Sequence, residues 1–221
     1  MLAYKNNINW TSYIKNLNIF PSGTAVWEEE FIQAVLNIIP KDKIKSALEV
    51  GCSNGRFLHW LYKEYHCELY GIDNNPLGFK EHDIINFQLA DAKNLPYKNE
   101  YFDLVFSVGL IEHFTKKERY YILKEQIRVL KKDGYLICQI PILNFSLNFL
   151  YTKLILDLIK KNRHFIVTEK EIKEYFKNFN LEILFSKHIG CIFESYIFKR
   201  LTRFNFFKHL LATEILFITK K

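Results

Sequence analysis

The stretch Ala47-Leu48-Glu49-Val50-Gly51-Cys52-Ser53-Asn54-Gly55-Arg56-Phe57 decides the fold. A short apolar run meets two glycines and passes at once into an amphipathic helical pattern. A buried strand that turns abruptly into a helix around a ligand reads this way. Glycine at 51 and 55 lets the backbone take positive φ and lets a ligand approach where a Cβ would clash. The helix beyond presents unpaired N–H groups and the positive end of its dipole, which suit a carboxylate or ribose oxygens.

The loop is Gly-x-x-x-Gly, with Ser53 where a dinucleotide fingerprint has its middle glycine. That glycine exists so that a pyrophosphate can reach the backbone, so its absence argues against NAD or FAD. No Gly-Lys-Ser/Thr follows, which excludes a P-loop.

Outward from the loop the chain alternates in period. Residues 1–23 read as irregular or weakly helical. A helix over 26–39 carries Phe31, Val35, Ile38 and Ile39 on one stripe and stops at Pro40. The strand 46–50 feeds the loop, and a helix over 56–65 puts Leu58, Leu61, Tyr62 and Tyr65 on its apolar face, with His59 left to solvent. Strands follow over 67–72, ending at Asp73, and over 84–89, ending at Ala90-Asp91. The run 102–108 is apolar except for Asp103 and Ser107, as a central parallel strand should be. Thr115-x-x-Glu118 is a capping box. It opens a helix with Leu123, Ile127 and Leu130 on one face, which Gly134 terminates ahead of a strand over 135–140. Past Pro141 come a helical apolar segment over 142–160, a second capping box at Thr168-x-x-Glu171, and strands over 181–186 and 213–219.

This alternation predicts an α/β fold, a parallel sheet with helices on both faces and the ligand beyond the carboxyl ends of the strands. Gly51, Asp73, Asp91, Val108 and Pro141 should therefore converge. With 221 residues, 49% hydrophobic and 25% charged, the chain suits one well-cored domain over 1–221. It divides into an N-terminal helical segment (1–45), a core (46–141) and a cover carrying the last two strands (142–221). The net charge of +7 accompanies heavy use of Lys, Asn, Ile, Phe and Tyr, so it reads as compositional bias before it reads as a partner. Four cysteines without a C-x-x-C pair point to reduced thiols in the cytoplasm. No uninterrupted apolar run reaches about 18 residues.

Two carboxylates give the loop a ligand. Asp73, at the end of the second strand, is placed to accept both hydroxyls of a ribose, and Asp91, at the end of the third, an adenine amino group. Together with Leu48-Glu49-Val50-Gly51-Cys52-Ser53-Asn54-Gly55, the segments Gly71-Ile72-Asp73, Ala90-Asp91-Ala92-Lys93-Asn94-Leu95-Pro96-Tyr97, Tyr101-Phe102-Asp103-Leu104-Val105-Phe106-Ser107 and Leu130-Lys131-Lys132-Asp133-Gly134-Tyr135-Leu136 resemble the successive motifs of class I S-adenosylmethionine-dependent methyltransferases, nearest the branch called methyltransferase type 11. The resemblance covers about 46–141. It implies a Rossmann-like seven-stranded sheet with the last strand antiparallel and helical lid insertions in the last third. It also implies contacts to S-adenosylmethionine. Gly51 and Gly55, with the backbone of Cys52, Ser53 and Asn54, would hold the methionine end. Asp73 would hold the ribose, Asp91 and Ala92 the adenine, and Ser107 and Val108 would lie beneath the sulfonium. Glu49 and Asn74 complete the expected contact set. Ser53, where the family often has glycine, is accommodated if its φ is negative.

A methyl acceptor that is protonated at neutral pH needs a base, and His113 in Gly109-Leu110-Ile111-Glu112-His113-Phe114 is the candidate. Glu112 and His113 ordering the loop ahead of Thr115 is the structural alternative. Relatives with Glu-x-x-Glu-His here bind a divalent metal. Gly109 stands in place of the first glutamate, so no metal is expected. The basic aromatic stretch 187–208, with five basic residues against Glu194, reads as the solvated face of a lid helix or as an interfacial helix meeting a membrane or another anionic surface. The reading is a transferase methylating a small-molecule, lipid or glycan-type acceptor. A cofactor-binding scaffold and a nucleic-acid methyltransferase are the alternatives, the latter weakened because no Asn/Asp-Pro-Pro-Tyr motif follows the fourth strand.

Overall fold

The computed structural model describes residues 26–76, 84–141, 167–190 and 214–221. In chain order the elements are helix Val26–Ile38 (α1), strand Ser46–Val50 (β1), helix Arg56–Tyr65 (α2), and strands Glu68–Asp73 (β2), Ile85–Leu89 (β3) and Phe102–Val108 (β4). Helix Lys116–Val129 (α3), strand Leu130–Pro141 (β5), helix Glu169–Asn178 (α4), and strands Glu182–Ile189 (β6) and Glu214–Lys220 (β7) follow. The strands form one seven-stranded sheet in the order β3-β2-β1-β4-β5-β7-β6. β1 through β5 pair in parallel, and β7 runs antiparallel to both β5 and β6. The strand order reverses between β1 and β4, where open α/β sheets form their ligand crevice.

Both faces of the sheet are covered, and the two-residue strand period sorts the side chains. Ala47, Leu104 and Phe106 pack under α1 and α2 with Phe31, Val35, Leu58 and Leu61. Leu48, Val50 and Val105 pack against α3 and α4 with Ile122, Leu123, Ile172 and Phe176. β1 is buried at all five positions, as a strand between two helical layers requires.

Several expectations need correction. His59 is buried (7% exposed) and Tyr62 is exposed (39%), the reverse of the expected solvent face. The cause is tertiary: α1 adds a second apolar contact to α2, with the Phe31 and Phe57 rings at 5.3 Å and Phe31 and Trp60 at 6.1 Å. Gly134 does not end α3. The helix hands over at Leu130, which pairs with Phe102, and the pairing resumes at Tyr135 opposite Leu104. Lys131 to Gly134 form the irregularity between, with Asp133 at φ +63°. The Thr115–Glu118 capping box is complete. At Thr168 only half of the box forms: its hydroxyl accepts from the Glu171 N–H, while the Glu171 carboxylate goes elsewhere. The segments expected as lid (142–160) and most of the basic stretch (from 191) lie outside the described residues. Lys187, at its start, faces Glu30 of α1 at 3.4 Å.

The Glu171 carboxylate meets Arg119, which is 1% exposed. Arg119 Nη1 donates to both Glu171 oxygens at 3.0 and 3.1 Å, and its Nε donates to the carbonyls of Ile111 and Phe114. Tyr175 donates its hydroxyl to Glu171 and to the Lys116 carbonyl as alternatives, both at 3.0 Å. One guanidinium thus fixes the single-turn helix Ile111–His113 against α3 and α4. Removing one partner of such a buried pair costs about 3–5 kcal/mol. Arg119→Ala should lose stability of that size in urea unfolding, and a loss below about 1 kcal/mol would contradict the clamp.

Candidate active site

At the β1–α2 turn, Gly51 (φ +78°) and Gly55 (φ +71°) occupy the left-handed region. A Cβ on Gly51 would stand 2.7 Å from Leu110 Cδ1, and one on Gly55 2.9 Å from Phe87 Cζ, so both positions demand glycine twice over. Ser53 also takes positive φ (+49°), which corrects the expectation of a negative value. The strain is of order 1 kcal/mol. It is offset where it arises, because the Ser53 N–H donates to Asp73 Oδ2 at 2.9 Å. Asp73 Oδ1 accepts from the Asn75 N–H, also at 2.9 Å. The N–H groups of Gly51 and Cys52 both reach the Ile72 carbonyl at 2.7 and 2.9 Å. The end of β2 therefore moulds the loop. Burial raises the Asp73 carboxyl above its usual value, against the opposing pull of the Ser53, Asn75 and Asn74 N–H groups.

Beneath the loop Glu49 is 2% exposed, and its Oε2 has no hydrogen-bond partner among the described residues. Burial, then the Asp73 charge, push this carboxyl well above the ordinary range. Cys52, also buried, has its thiol raised for the same reasons, burial first and then Glu49. Glu49, Gly51, Cys52, Ser53, Gly55 and Asp73 thus form one cluster, with Asn74 exposed beside it.

The third strand end joins through the Ala90 N–H, which donates to the Asp73 carbonyl at 3.1 Å. Ala92 is buried, whereas the Asp91 side chain is exposed and engages the Lys93 N–H at 2.9 Å. At the end of β4 Ser107 is 1% exposed and directs its hydroxyl at Cys138 Sγ, 4.0 Å away inside the sheet, while Val108 is half-buried.

On the other side of the crevice Leu110 leans on Gly51, and the turn Ile111–His113 follows. Glu112 is 3% exposed, with Oε2 unpartnered among the described residues, and burial pushes its carboxyl up to about 8 despite Arg119. His113 Nε2 stands 3.7 Å from Glu112 Oε1. Two further residues meet here that the sequence reading did not single out. Gln139 of β5 accepts the Gly109 N–H on its carbonyl and donates its side-chain amide to Glu214 Oε2 at 2.7 Å. Burial, then the Glu112 charge, raise the Glu214 carboxyl well above the ordinary range. The available signal was a polar residue in each of two apolar strands, Ile137-Cys138-Gln139-Ile140 and Glu214-Ile215-Leu216-Phe217-Ile218. Among the described residues no three His, Cys, Asp or Glu side chains are grouped to hold a metal.

A family model described as a methyltransferase domain matches residues 48–138, from β1 into β5. Over that stretch the chain is similar to methyltransferase domains. Norajmaline N-methyltransferase of Rauvolfia serpentina is 34% identical over 100 residues, 41% of this chain and 34% of that protein. Phthiotriol/phenolphthiotriol dimycocerosates methyltransferase of Mycobacterium leprae is 35% identical over 99 residues, 42% of this chain and 36% of the relative. The match thus spans about a third of the length of these curated relatives. Over nearly the whole chain the fold resembles the putative methyltransferase solved in complex with the Trm112 methyltransferase activator of Haloferax volcanii, with a TM-score of 0.70, 14% identity, and 96% of this chain and 97% of that one covered. At that identity the likeness concerns the fold.

The Glu112 carboxyl gives the chain a pH signature. Its value of about 8 in the folded chain exceeds the ordinary 4.5, so between those pH values the folded state holds a proton that the unfolded chain has released. Stability must then fall as pH rises through that window, by up to about 1.4 kcal/mol per pH unit for one such group. Glu112→Gln should flatten the decline in melting temperature between pH 5 and pH 8. An unchanged slope would contradict the assignment.

Proposed function

We propose that the protein transfers a methyl group from S-adenosylmethionine to a small-molecule or lipid-type acceptor, by O- or N-methylation. The observation that carries this reading is Asp73. Its Oδ2 ties the strained glycine loop to β2 through the Ser53 N–H, its Oδ1 accepts from the Asn75 N–H just beyond the strand, and lone pairs remain for a further ligand. The residues present fit the donor. Glu49 Oε2, buried and unpartnered among the described residues, is suited to an ammonium at the methionine end, and the left-handed Gly51 and Gly55 leave room for it against the backbone. Asp73 takes the ribose hydroxyls. Ala92, at the buried end of the next strand, borders the adenine, with Asp91 at its exposed rim. Val108, half-buried at the end of β4, lies toward the sulfonium, and Ser107 supports that strand end from within the sheet.

When bound, S-adenosylmethionine supplies an already activated methyl group. The protein's task is to align a nucleophile and exclude water, and positioning of this kind is worth roughly 7–11 kcal/mol. For an acceptor that must lose a proton, His113 is the base. It follows Gly109 and Leu110 at the end of β4, and Glu112 stands beside its ring. Names of relatives that act on an alkaloid amine and on a mycobacterial lipid support a small or lipid-type acceptor. The buried free thiols of Cys52, Cys67 and Cys138 suit a reducing, cytoplasmic setting. Among the described residues no helix is long and apolar enough to cross a membrane.

Screening candidate acceptors by release of S-adenosylhomocysteine tests the proposal. At least one alcohol, phenol or amine should give turnover, unchanged by a chelator because Gly109 removes one of the carboxylates a metal would need. His113→Ala should lower turnover at least tenfold while S-adenosylmethionine binding stays as in wild type. Full turnover in the variant would remove His113 from the reaction, and chelator-sensitive activity would overturn the metal-free reading.

A further inference from the structure

The wall formed by the Ile111–His113 turn, β5 and β7 collects hydrogen-bond acceptors that lack a donor among the described residues. Glu112 and Gln139 are each 3% exposed, and Glu112 Oε2 and Gln139 Oε1 have no partner among the described residues. The one amide N–H of Gln139 recorded in a bond goes to Glu214 Oε2 at 2.7 Å. The Glu112 charge disfavours the ionised form of Glu214. Among the described residues, His113 on the same turn, Cys138 on β5 and Arg119 on α3 are polar groups near Glu112. Arg119 cannot act as the counter-ion without releasing what it holds, because its Nε serves two carbonyls of the turn and its Nη1 serves Glu171. Ionising the buried Glu112 beside the half-buried Glu214 is costly to the fold, since an unpaired buried charge is far more expensive than a paired one. Its chemical complement is a group with several donors and no acceptor, and an ammonium has that inventory.

We infer that Glu112 and Glu214, the latter held by Gln139, form an acceptor-side subsite for an organic ammonium group. This rests on the acceptor lying over the end of β4, as proposed above, and it narrows the acceptor to an amine-bearing molecule. The nitrogen sits between the two carboxylates, and Gln139 Oε1 accepts a further N–H. Burial raises both carboxyls, so an ammonium that pairs with them displaces whatever proton they hold, and binding releases protons.

The test uses straight-chain primary amines from propylamine to octylamine and the matching alcohols. Each is titrated calorimetrically into the full chain at pH 7, with and without saturating S-adenosylhomocysteine, in two buffers of different ionisation enthalpy. Amines of at least one length should bind at least tenfold more tightly than their alcohols and release protons. Glu112→Gln and Glu214→Gln, isosteric changes that remove an unpaired charge, should each erase the preference while S-adenosylhomocysteine still binds. Equal binding of alcohols and amines, no amine binding at any length, or a preference that survives both substitutions would overturn the subsite. Failure of S-adenosylhomocysteine to bind would count against the methyltransferase reading. Its binding without amine selectivity would count against the subsite alone.

Discussion

The Asp73 carboxylate is the contact on which the rest of the site depends. It sits on the last residue of β2 and holds the N–H of a serine in the left-handed region, and through it the Gly51–Gly55 loop. A glycine at 53 would adopt that conformation freely but would hold it less firmly, because glycine loses more conformational freedom on folding. Serine accepts the strain, and Asp73 offsets it with a charge-assisted hydrogen bond. Burial raises the proton affinity of Glu49 and Cys52 beneath the loop, and the same carboxylate adds to it.

The opposite wall is built on another buried ionic group with the reverse logic. Arg119 is fully engaged with carbonyls and with Glu171, and it fixes the turn that carries Glu112 and His113. Its attraction lowers the proton affinity of Glu112, but burial outweighs it. The frame thus presents Glu112 Oε2 and Gln139 Oε1 without a partner among the described residues.

Much of this was legible in the sequence where the signal is local. Periodicity located all seven strands, the Thr115–Glu118 box set the start of α3 to the residue, and the two glycines with Asp73 marked the cofactor end of the sheet. What escaped depends on partners distant along the chain. His59 is buried on a helix whose Phe57 and Trp60 meet Phe31 of α1, a contact that no pattern within 56–65 reveals. Glu171 reads as half of a capping box, yet its carboxylate answers Arg119, 52 residues away. Gln139 and Glu214 lie 75 residues apart and meet only because β7 folds back against β5. The φ of Ser53 is set by Asp73, 20 residues on, so the serine alone could not indicate its sign.

The central claim is that the Gly51–Gly55 loop and Asp73 together recognise S-adenosylmethionine and not a dinucleotide. Calorimetric titration of the wild-type chain and of Asp73→Ala with S-adenosylmethionine, and of the wild type with NAD, tests it most directly. The account predicts one-to-one S-adenosylmethionine binding that weakens at least tenfold in the variant, and no heat of binding with NAD. Saturable NAD binding, or S-adenosylmethionine affinity unchanged without the Asp73 carboxylate, would contradict it.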